Sequence, residues 1–448
     1  MQRKIKEQLV NWKLKKGRKP LILQGARQVG KTYSLKEFGK EYFSKVHYLN
    51  FEEEPELKKI FEKDLIPARI LQEISFHTDT AIDAQNDLVI FDEVQECPKA
   101  VASLKYFAEE SAGLAVCGAG SLLGLHFSEA GFPVGKVEFL KMHPLTFEEF
   151  LAACGDTKSV DFINGFDFSG AVPEVIHSHL WEMLKKYLVV GGMPEAALAF
   201  TGSREDPFKA YGEVRKKQSD LVLAFVADIA KHSGKENSMH IERLWQNIPQ
   251  QLAREQNGSA SKFRFKGVIP GLRGYSRLGG AIDWLGAAGL IIRTAIVNSG
   301  QLPFSSYSKE NFFKLYFFDS GLLGAVSRLP PKTILDYEYG SYKGYFAENF
   351  AAQEFIAAGI EELCCWRENT AEVEFLVEAG GKVFPVEIKS GWATQSKSLA
   401  VFSQKYDPPL KIILSANNFS VNAGGRLIKI PLYLSSKIRS AVLKLSRS

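Results

Sequence analysis

Short apolar runs alternate with amphipathic, charge-rich segments through the first third of the chain. The runs are Leu21-Ile22-Leu23-Gln24, Val46-His47-Tyr48-Leu49-Asn50-Phe51, Leu88-Val89-Ile90-Phe91 and Leu114-Ala115-Val116-Cys117. Runs of this length between polar segments are typical of buried strands. The segments between them predict helices from Lys31 to about Phe43 and over roughly residues 98–110. Alternation of strands and helices with short connections predicts a doubly wound, mostly parallel α/β sheet.

Helical patterns dominate between residues 146 and 288. Thr146-Phe-Glu-Glu149 is a capping box, which predicts a helix over 146–153 as the start of a lid. Residues 155–172 predict a boundary or an ordered loop, and further helices are expected over about 173–189, 206–231, 239–253 and 278–288. The last helix and a strand at 290–296 are similar to a winged helix that could enter a DNA major groove. Trp284, Leu285 and Leu290 would fill a protein core equally well.

Composition narrows the class of protein. Hydrophobic residues make up 45% and charged residues 24% of the chain, as in an ordinary globular protein. No run approaches the roughly 20 apolar residues of a transmembrane helix, and the N-terminal residues lack the apolar segment of a signal peptide. The five cysteines show no C-x-x-C spacing, which argues against a disulfide framework or a zinc site. A cytoplasmic protein without a membrane partner is expected.

The net charge of +5 is unevenly distributed along the chain. From Gly381 onwards there are eleven Lys and Arg residues and two acids, a local charge of +9 that leaves −4 for the rest. A basic surface of this kind is expected of a protein that binds a polyanion such as DNA. A solvated basic tail is the alternative interpretation.

The segment Gly25-Ala-Arg-Gln-Val-Gly30-Lys31-Thr32 follows the first apolar run and fits the phosphate-loop pattern G-x-x-x-x-G-K-[ST]. Glycines allow backbone N–H groups to turn around phosphate oxygens, and the N-terminus of the next helix adds partial positive charge. Lys31 is expected to reach the β- and γ-phosphates of a nucleotide, and the Thr32 hydroxyl to bind Mg²⁺. A glycine-containing strand-to-helix turn without a ligand is the alternative.

The third apolar run ends in the acidic pair Asp92-Glu93, with Asp92 61 positions after Lys31. Ligands bind at the carboxyl edge of the strands in open α/β sheets. Asp92 is therefore expected to hold Mg²⁺, and Glu93 to orient and polarise the water that attacks the γ-phosphate. Together with the phosphate loop, the pair predicts an ATP hydrolase. A kinase acting on a small molecule is disfavoured, because Glu93 suits water activation better than a bound acceptor.

A second group of candidate residues lies on two strand-like segments, 371–378 and 383–389, around a Gly-Gly turn. Glu374 lies on the first strand, and Glu387 and Lys389 share a face of the second because they are two residues apart. Two carboxylates suit a divalent cation, and a lysine beside them can activate water or stabilise charge on a phosphodiester. Glu348, in an apparently helical segment, could add a further carboxylate.

Further motifs extend along nearly the whole chain: Tyr48-Leu-Asn-Phe-Glu52, Phe132-Pro-Val-Gly135-Lys136, Pro144-Leu-Thr-Phe-Glu-Glu-Phe, Gly191-Gly-Met-Pro194, Lys314-Leu-Tyr-Phe-Phe-Asp319, Gly344-Tyr-Phe-Ala-Glu348-Asn349 and Val386-Glu-Ile-Lys389-Ser. With the phosphate loop and the acidic pair, the chain resembles the prokaryotic AAA-type ATPases that carry a C-terminal PD-(D/E)xK-like domain of unknown function. The E-x-K pattern alone is also frequent on exposed strands of any sheet.

The resemblance implies three domains: a P-loop ATPase domain with a lid over 1–195, a helical, winged-helix-like domain over 196–300, and an α/β PD-(D/E)xK-like domain over 301–448. It implies that Ser121 lies near a polar sensor position and that ATP phosphates contact Gly25, Ala26, Arg27, Gln28, Val29, Gly30, Lys31 and Thr32. Glu374, Glu387 and Lys389 would be the catalytic residues of a nuclease, with both glutamates as metal ligands. A nucleotide-gated protein-interaction module with a degenerate nuclease fold is the alternative. The expected partners are DNA, another protein or a second copy of the chain.

Overall fold

The computed structural model describes residues 1–448 except 122–132, 204–205, 253–261, 273, 338–339, 341, 393–394 and 447–448. Phe132 of the quoted motif and residue 253, the predicted end of a helix, lie outside the described residues. The chain packs into two compact units. Unit 1 comprises residues 1–143 with 287–289, and unit 2 comprises residues 144–286 and 290–448. The boundaries predicted at 195 and 300 do not coincide with this division.

Unit 1 is a parallel sheet flanked by helices. Its strands lie in the order β2-β3-β4-β1-β5 and every pairing is parallel, which confirms the predicted parallel sheet. The phosphate loop follows β1 and the acidic pair Asp92-Glu93 lies at the end of β3. These two strands are not neighbours, because β4 lies between them. The strands are β1 (Leu21–Gln24), β2 (Val46–Asn50), β3 (Leu88–Asp92), β4 (Ala115–Gly120) and β5 (Glu138–Lys141). The helices are α1 (Ile5–Leu14), α2 (Lys31–Tyr42), α3 (Pro67–His77) and α4 (Pro98–Glu110), with 3-10 turns at Pro55–Phe61 and Val94–Glu96.

The apolar runs form the core of unit 1. Strands β3 and β4 are buried at every residue, as expected of strands that helices cover on both faces. Phe51, Phe61, Phe91 and Phe107 pack against one another with ring centroids 5.4–6.1 Å apart. Tight packing of this kind fixes the position of β3, at whose end Asp92 and Glu93 lie.

Unit 2 begins with a series of helices. The predicted capping box at Thr146 and Glu149 forms with both of its hydrogen bonds. The loop predicted over 155–172 is wrong for residues 157–165, which are helical because the Asp156 side chain accepts from the Ser159 N–H and caps the helix. The helices are α5 (Phe147–Ala153), α6 (Thr157–Gly165), α7 (Glu174–Val190), α8 (Pro194–Gly202), α9 (Pro207–Ser233), α10 (Lys235–Leu252) and α11 (Tyr275–Ala287).

The sheet of unit 2 has the strand order β12-β13-β11-β10-β9-β8-β6-β7. Strand β6, which follows α11, pairs with β7 and β8 and is therefore part of this large sheet. The wing of a winged-helix domain would instead pair within that small domain. The strands are β6 (Ile291–Val297), β7 (Ser308–Phe317), β8 (Cys364–Glu368), β9 (Ala371–Ala379), β10 (Lys382–Ile388), β11 (Lys411–Ser415), β12 (Ser420–Val421) and β13 (Leu427–Pro431). The remaining helices are α12 (Ser320–Val326), α13 (Pro331–Leu335), α14 (Tyr342–Ala357), α15 (Lys397–Tyr406) and α16 (Ile438–Leu445), with 3-10 turns at Phe304–Tyr307 and Leu432–Lys437.

The C-terminal part of unit 2 has the element order α14-β8-β9-β10-α15-β11. Strands β9 and β10 form an antiparallel hairpin, and β10 pairs with β11 in parallel. The predicted turn is made by Gly380 and Gly381, whose φ values of 61° and 74° favour glycine. In the described part of the chain, no helix is both long and apolar enough to span a membrane. No disulfide joins any of the five cysteines, all of which lie in described segments.

Candidate functional site

The phosphate loop connects β1 to α2 in unit 1. At Gly25 a Cβ atom would lie 2.2 Å from the main-chain oxygen of Met142, so only glycine fits against that neighbouring segment. Gly30 precedes the helix with a φ of 97°, in the left-handed region that glycine adopts without strain. Helix α2 begins at Lys31, so its first N–H groups face the end of the loop. The loop therefore has the backbone geometry of an anion-binding turn at a helix N-terminus.

The Lys31 side chain is buried and crosses this loop. Its ammonium donates hydrogen bonds to the main-chain oxygens of Gly25 and Ala26, at 3.0 and 2.9 Å. These contacts hold the positive charge among the residues that would surround a phosphate. Arg27, within the same loop, reaches Glu52 after β2 with an N–O distance of 3.1 Å. The two cationic side chains of the loop therefore point in different directions. Lys31 crosses the loop, and Arg27 extends towards the Glu52 carboxylate.

A hydrogen bond joins the two nucleotide motifs. The Thr32 hydroxyl donates to Oδ2 of Asp92, 60 positions further along the chain, at 2.7 Å. The Tyr48 hydroxyl on β2 donates to the same carboxylate oxygen at 2.7 Å, and the Glu93 N–H donates to Oδ1 at 3.0 Å. Asp92 is almost fully buried and accepts from three uncharged donors. Its negative charge is therefore oriented but not neutralised by these contacts.

Tyr48 is held in place from two further directions. The Asn50 side-chain amide donates to the Tyr48 hydroxyl at 3.2 Å, and the Lys36 ammonium lies 3.3 Å from the centre of the ring. Lys36 is one turn beyond Thr32 on α2, so the same helix contacts both the ring and the carboxylate. Burial, followed by the hydrogen bond to Asp92, raises the pKa of Tyr48, which keeps its hydroxyl protonated as a donor.

Glu93 has a strained backbone and a perturbed carboxyl group. Its φ of 49° is in the left-handed region, which is costly for a residue with a side chain and is concentrated at functional sites. Burial raises the pKa of Glu93, and the nearby Gln95 amide and Lys31 charge lower it in part. The Gln95 amide donates to Glu93 Oε2 at 2.5 Å. A carboxylate with a raised pKa and a fixed orientation suits a general base.

Ser121 directly follows β4, the strand that lies between the phosphate-loop strand and the acidic strand. It is buried, with 6% of its surface exposed. The predicted sensor residue is thus placed at the carboxyl edge of the sheet, between the ends of β1 and β3. The structure brings together Thr32, Asp92 and, by sequence adjacency, Glu93 at this edge.

The second group of predicted residues lies in unit 2 on the β9–β10 hairpin. Continuing the register of Val386 with Phe375 sets Glu387 opposite Glu374. Glu374 Oε2 accepts from the Ile388 N–H at 3.2 Å, and the Lys389 ammonium lies 2.7 Å from Glu387 Oε1. Both carboxyl groups are nearly fully buried. Burial, with the neighbouring Glu387 and Glu348 carboxyls, raises the pKa of Glu374 well above its usual range.

A lysine that the sequence analysis did not select completes this group. Lys314 on β7 is fully buried, 3.5 Å from Glu348 Oε2 and 2.5 Å from Glu372 Oε1. The Tyr316 hydroxyl donates to Glu348 Oε2 at 2.7 Å. Within the described residues, no three His, Cys, Asp or Glu side chains are arranged to hold a metal ion. The structure therefore gathers carboxylates here and balances them with lysines.

Sequence reasoning missed Tyr48 and Lys314 as members of these two groups. Both stand in motifs quoted for the family resemblance, yet neither had a predicted role. For Tyr48 the available signal was a polar side chain on a strand next to the candidate strand, whereas Lys314 lies on β7, which is not a neighbour of β9 or β10 in the sheet. Tyr48 lies on β2 beside the Asp92 strand, but strand neighbours cannot be assigned before the sheet order is known.

Three family models match segments of the chain. An AAA domain matches residues 17–151, and two domains of unknown function, DUF8612 and DUF4143, match residues 182–333 and 343–433. No protein in a search of curated sequences matches the chain. The first match covers the phosphate loop and the acidic pair, whose geometry is described above. The chain therefore has an AAA-type ATPase domain, which binds nucleotide.

Several solved structures have partial similarity to the chain. A Walker-type ATPase of Pyrococcus abyssi is 14% identical, covering 73% of this chain and 95% of that one, with a TM-score of 0.46. The Aeropyrum pernix ORC1 protein in complex with DNA is 14% identical over 74% and 92%, with a TM-score of 0.31. Cdc6p from Pyrobaculum aerophilum is 14% identical over 75% and 92%, with a TM-score of 0.25. Similarity at these scores supports no conclusion about what this chain binds.

Proposed function

We propose that unit 1 binds ATP with Mg²⁺ and hydrolyses it, with Glu93 as the base that activates water. The observation that carries this proposal is the hydrogen bond between Thr32 and Asp92, which sets a hydroxyl and a carboxylate side by side. Such oxygen ligands are those that Mg²⁺ prefers, so the residues fit the ion. The bound ion would neutralise phosphate charge. Thr32 and Asp92 would hold it, and Lys31 would contact the terminal phosphates.

Glu93 then accepts a proton from the attacking water as the water approaches the γ-phosphate. Its raised pKa brings its basicity closer to the pH at which a general base is effective. Gln95 fixes the carboxylate through its amide, and Ser121 is proposed to contact the phosphate region from the end of β4. The phosphoryl group passes to water, and ADP and phosphate are the products.

The experiment measures ATP binding and phosphate release separately. Lys31→Ala should abolish both, because it removes the cation that contacts the phosphates. Glu93→Gln should retain ATP binding and lose turnover, because a neutral amide cannot accept the proton. Lys40→Ala is the matched control, since Lys40 is an exposed lysine on the same helix. Full activity in Glu93→Gln would refute the assignment of the base.

We further propose that unit 2 contains a PD-(D/E)xK-like module directed at nucleic acid. Support comes from the element order α14-β8-β9-β10-α15-β11 and from the apposition of Glu374 and Glu387 with Lys389. The +9 charge of residues 381–448 favours a polyanionic ligand. Binding to duplex DNA should weaken steeply as salt rises if these cations contact phosphates. Binding that salt does not affect would contradict this part of the proposal.

A second candidate function is a protein-interaction module with a degenerate nuclease fold. It is favoured by the pairing of the carboxylates with Lys314 and Lys389, and by the lack of a three-ligand metal cluster among the described residues. Plasmid incubated with the protein and Mg²⁺ or Mn²⁺ separates the two candidates. Cleavage by the parent that is lost in a Glu387→Ala, Lys389→Ala double variant supports a nuclease. Absence of cleavage by the parent supports the interaction module.

The nucleotide state is proposed to control the C-terminal module. The proposal predicts that the Glu93→Gln variant, which would hold ATP without turnover, binds DNA with a different affinity in ATP than in ADP. Fluorescence anisotropy of a labelled duplex measures both affinities at one salt concentration. Equal affinities for the duplex in ATP and in ADP would show that DNA binding does not depend on the bound nucleotide.

A further inference from the structure

Trp392 is unusually exposed for a tryptophan. It has 65% of its surface exposed and follows the E-x-K strand β10. The chain has six tryptophans, and four of the others are buried: Trp12, Trp245, Trp284 and Trp366. A single exposed apolar side chain is common on protein surfaces, so the support and the surroundings of this ring decide whether it can bind a ligand.

The segment that carries Trp392 is held firmly. The Asn417 side-chain amide donates to the main-chain oxygen of Trp392 at 3.0 Å, and the Tyr337 hydroxyl donates to that of Ser390 at 2.6 Å. The indole also contacts two aromatic rings of α7, His177 and Trp181, each with centroids 6.4 Å away. A ring backed by other rings and by fixed main chain loses little conformational freedom when a ligand stacks on it.

Two lysines lie on segments near this ring, and one of them, Lys389, is also paired with Glu387. Trp392 is three residues beyond Lys389, so their Cα atoms are at most about 11 Å apart. The Lys343 ammonium lies 5.4 Å from the Tyr337 ring, which in turn packs against Trp181. Lysine is depleted at the centres of protein interfaces, whereas grooves for single-stranded nucleic acid combine lysines with exposed aromatic rings. This charge favours a nucleic acid over an apolar protein partner.

We propose that Trp392 is a stacking platform for an unpaired base of a single-stranded nucleic acid, positioned beside Glu387 and Lys389. The proposal rests on the nucleic-acid function proposed for unit 2 and adds a contact with an unpaired base to the phosphate contacts proposed there. The base stacks on the exposed indole face, and the lysines contact the backbone phosphates. Every base has an aromatic face, so the contact requires no particular sequence.

The test uses the full chain and a labelled oligothymidylate, with affinity measured by fluorescence anisotropy. Trp392→Ala should weaken binding about 5- to 150-fold, which corresponds to the usual contribution of one stacked base. Trp392→Phe should restore much of the affinity, because it keeps an aromatic face. Phe76→Ala is the control, since Phe76 is a 91% exposed aromatic residue of unit 1 and should leave the affinity unchanged.

A second readout follows tryptophan emission directly. The oligonucleotide should quench the parent protein's emission, and the quenching should largely disappear in Trp392→Phe while that variant still binds. Unchanged affinity and quenching in the Trp392 variants, with the parent binding DNA, would refute the platform and leave the function of unit 2 intact. A parent that binds no nucleic acid would refute both. A change in oligomeric state of Trp392→Ala without loss of oligonucleotide affinity would show a protein interface instead.

Discussion

Tyr48→Phe isolates one hydroxyl group that acts on the proposed metal ligand. The substitution removes the donor to Asp92 Oδ2 at 2.7 Å and keeps the ring on which the Lys36 ammonium lies. It also leaves the phosphate loop untouched. The same hydroxyl accepts from the Asn50 amide, so the Mg²⁺ dependence of the activity, rather than the activity alone, reports on the orientation of Asp92, for which Tyr48 is a positioning residue.

The structure sets the size of the effect. A hydrogen bond to a charged group contributes about 1.5–3 kcal/mol. Tyr48 is half-buried, so water can replace part of the lost contact, and about 1.5 kcal/mol is expected. If this orientation is needed in the transition state, kcat falls roughly ten-fold. The concentration of Mg²⁺ that gives half-maximal activity should rise, while ATP binding without Mg²⁺ should not change.

The assay is phosphate release over a Mg²⁺ titration, with circular dichroism to confirm that each variant is folded. Tyr33→Phe is the matched control, because its hydroxyl contacts only the N-terminal ammonium at 3.4 Å among the hydrogen bonds described. A folded Tyr48→Phe protein with the parent's kcat and Mg²⁺ dependence would refute the reasoning. A loss of ATP affinity without Mg²⁺ would place the effect in the phosphate loop instead.

Three other substitutions test separate parts of the structure. Gln95→Leu removes a hydrogen bond that lowers the pKa of Glu93, so the acid limb of the pH–rate profile should move to higher pH. Gly25→Ala places a methyl group 2.2 Å from a main-chain oxygen and should abolish ATP binding measured by calorimetry. Lys314→Met should destabilise unit 2 by about 3 kcal/mol in urea unfolding followed by tryptophan emission, because it leaves buried carboxylates without their cation. Lys405→Met, at an exposed ion pair, should cost less than about 1 kcal/mol in the same assay.

The phosphate loop and the acidic pair could be found in the sequence because each is a short contiguous segment. The phosphate loop and Asp92-Glu93 each follow an apolar run, and the carboxyl ends of parallel strands meet at one edge. The role of Tyr48 was not predictable, since it depends on β2 lying next to β3. The same limit applies to β6, whose partners β7 and β8 follow it by more than ten and more than sixty residues. Local sequence patterns predict helices and strands. Which side chains come into contact depends on the pairing of strands that are distant in the sequence.

The acidic residues of the two candidate sites, Asp92 in unit 1 and the glutamates of unit 2, differ in the partners that they have. Asp92 accepts from two hydroxyls and one N–H, all uncharged, so none of these contacts is an ion pair that a bound cation would have to displace. Glu387 is paired with Lys389, and Glu372 with Lys314, so a divalent ion in unit 2 would have to compete with ammonium groups already in contact. Charge balance therefore favours metal binding in unit 1. ATP hydrolysis should reach half its maximal rate at a lower Mg²⁺ concentration than any cleavage by unit 2, and the reverse order would show that the lysines do not limit metal binding.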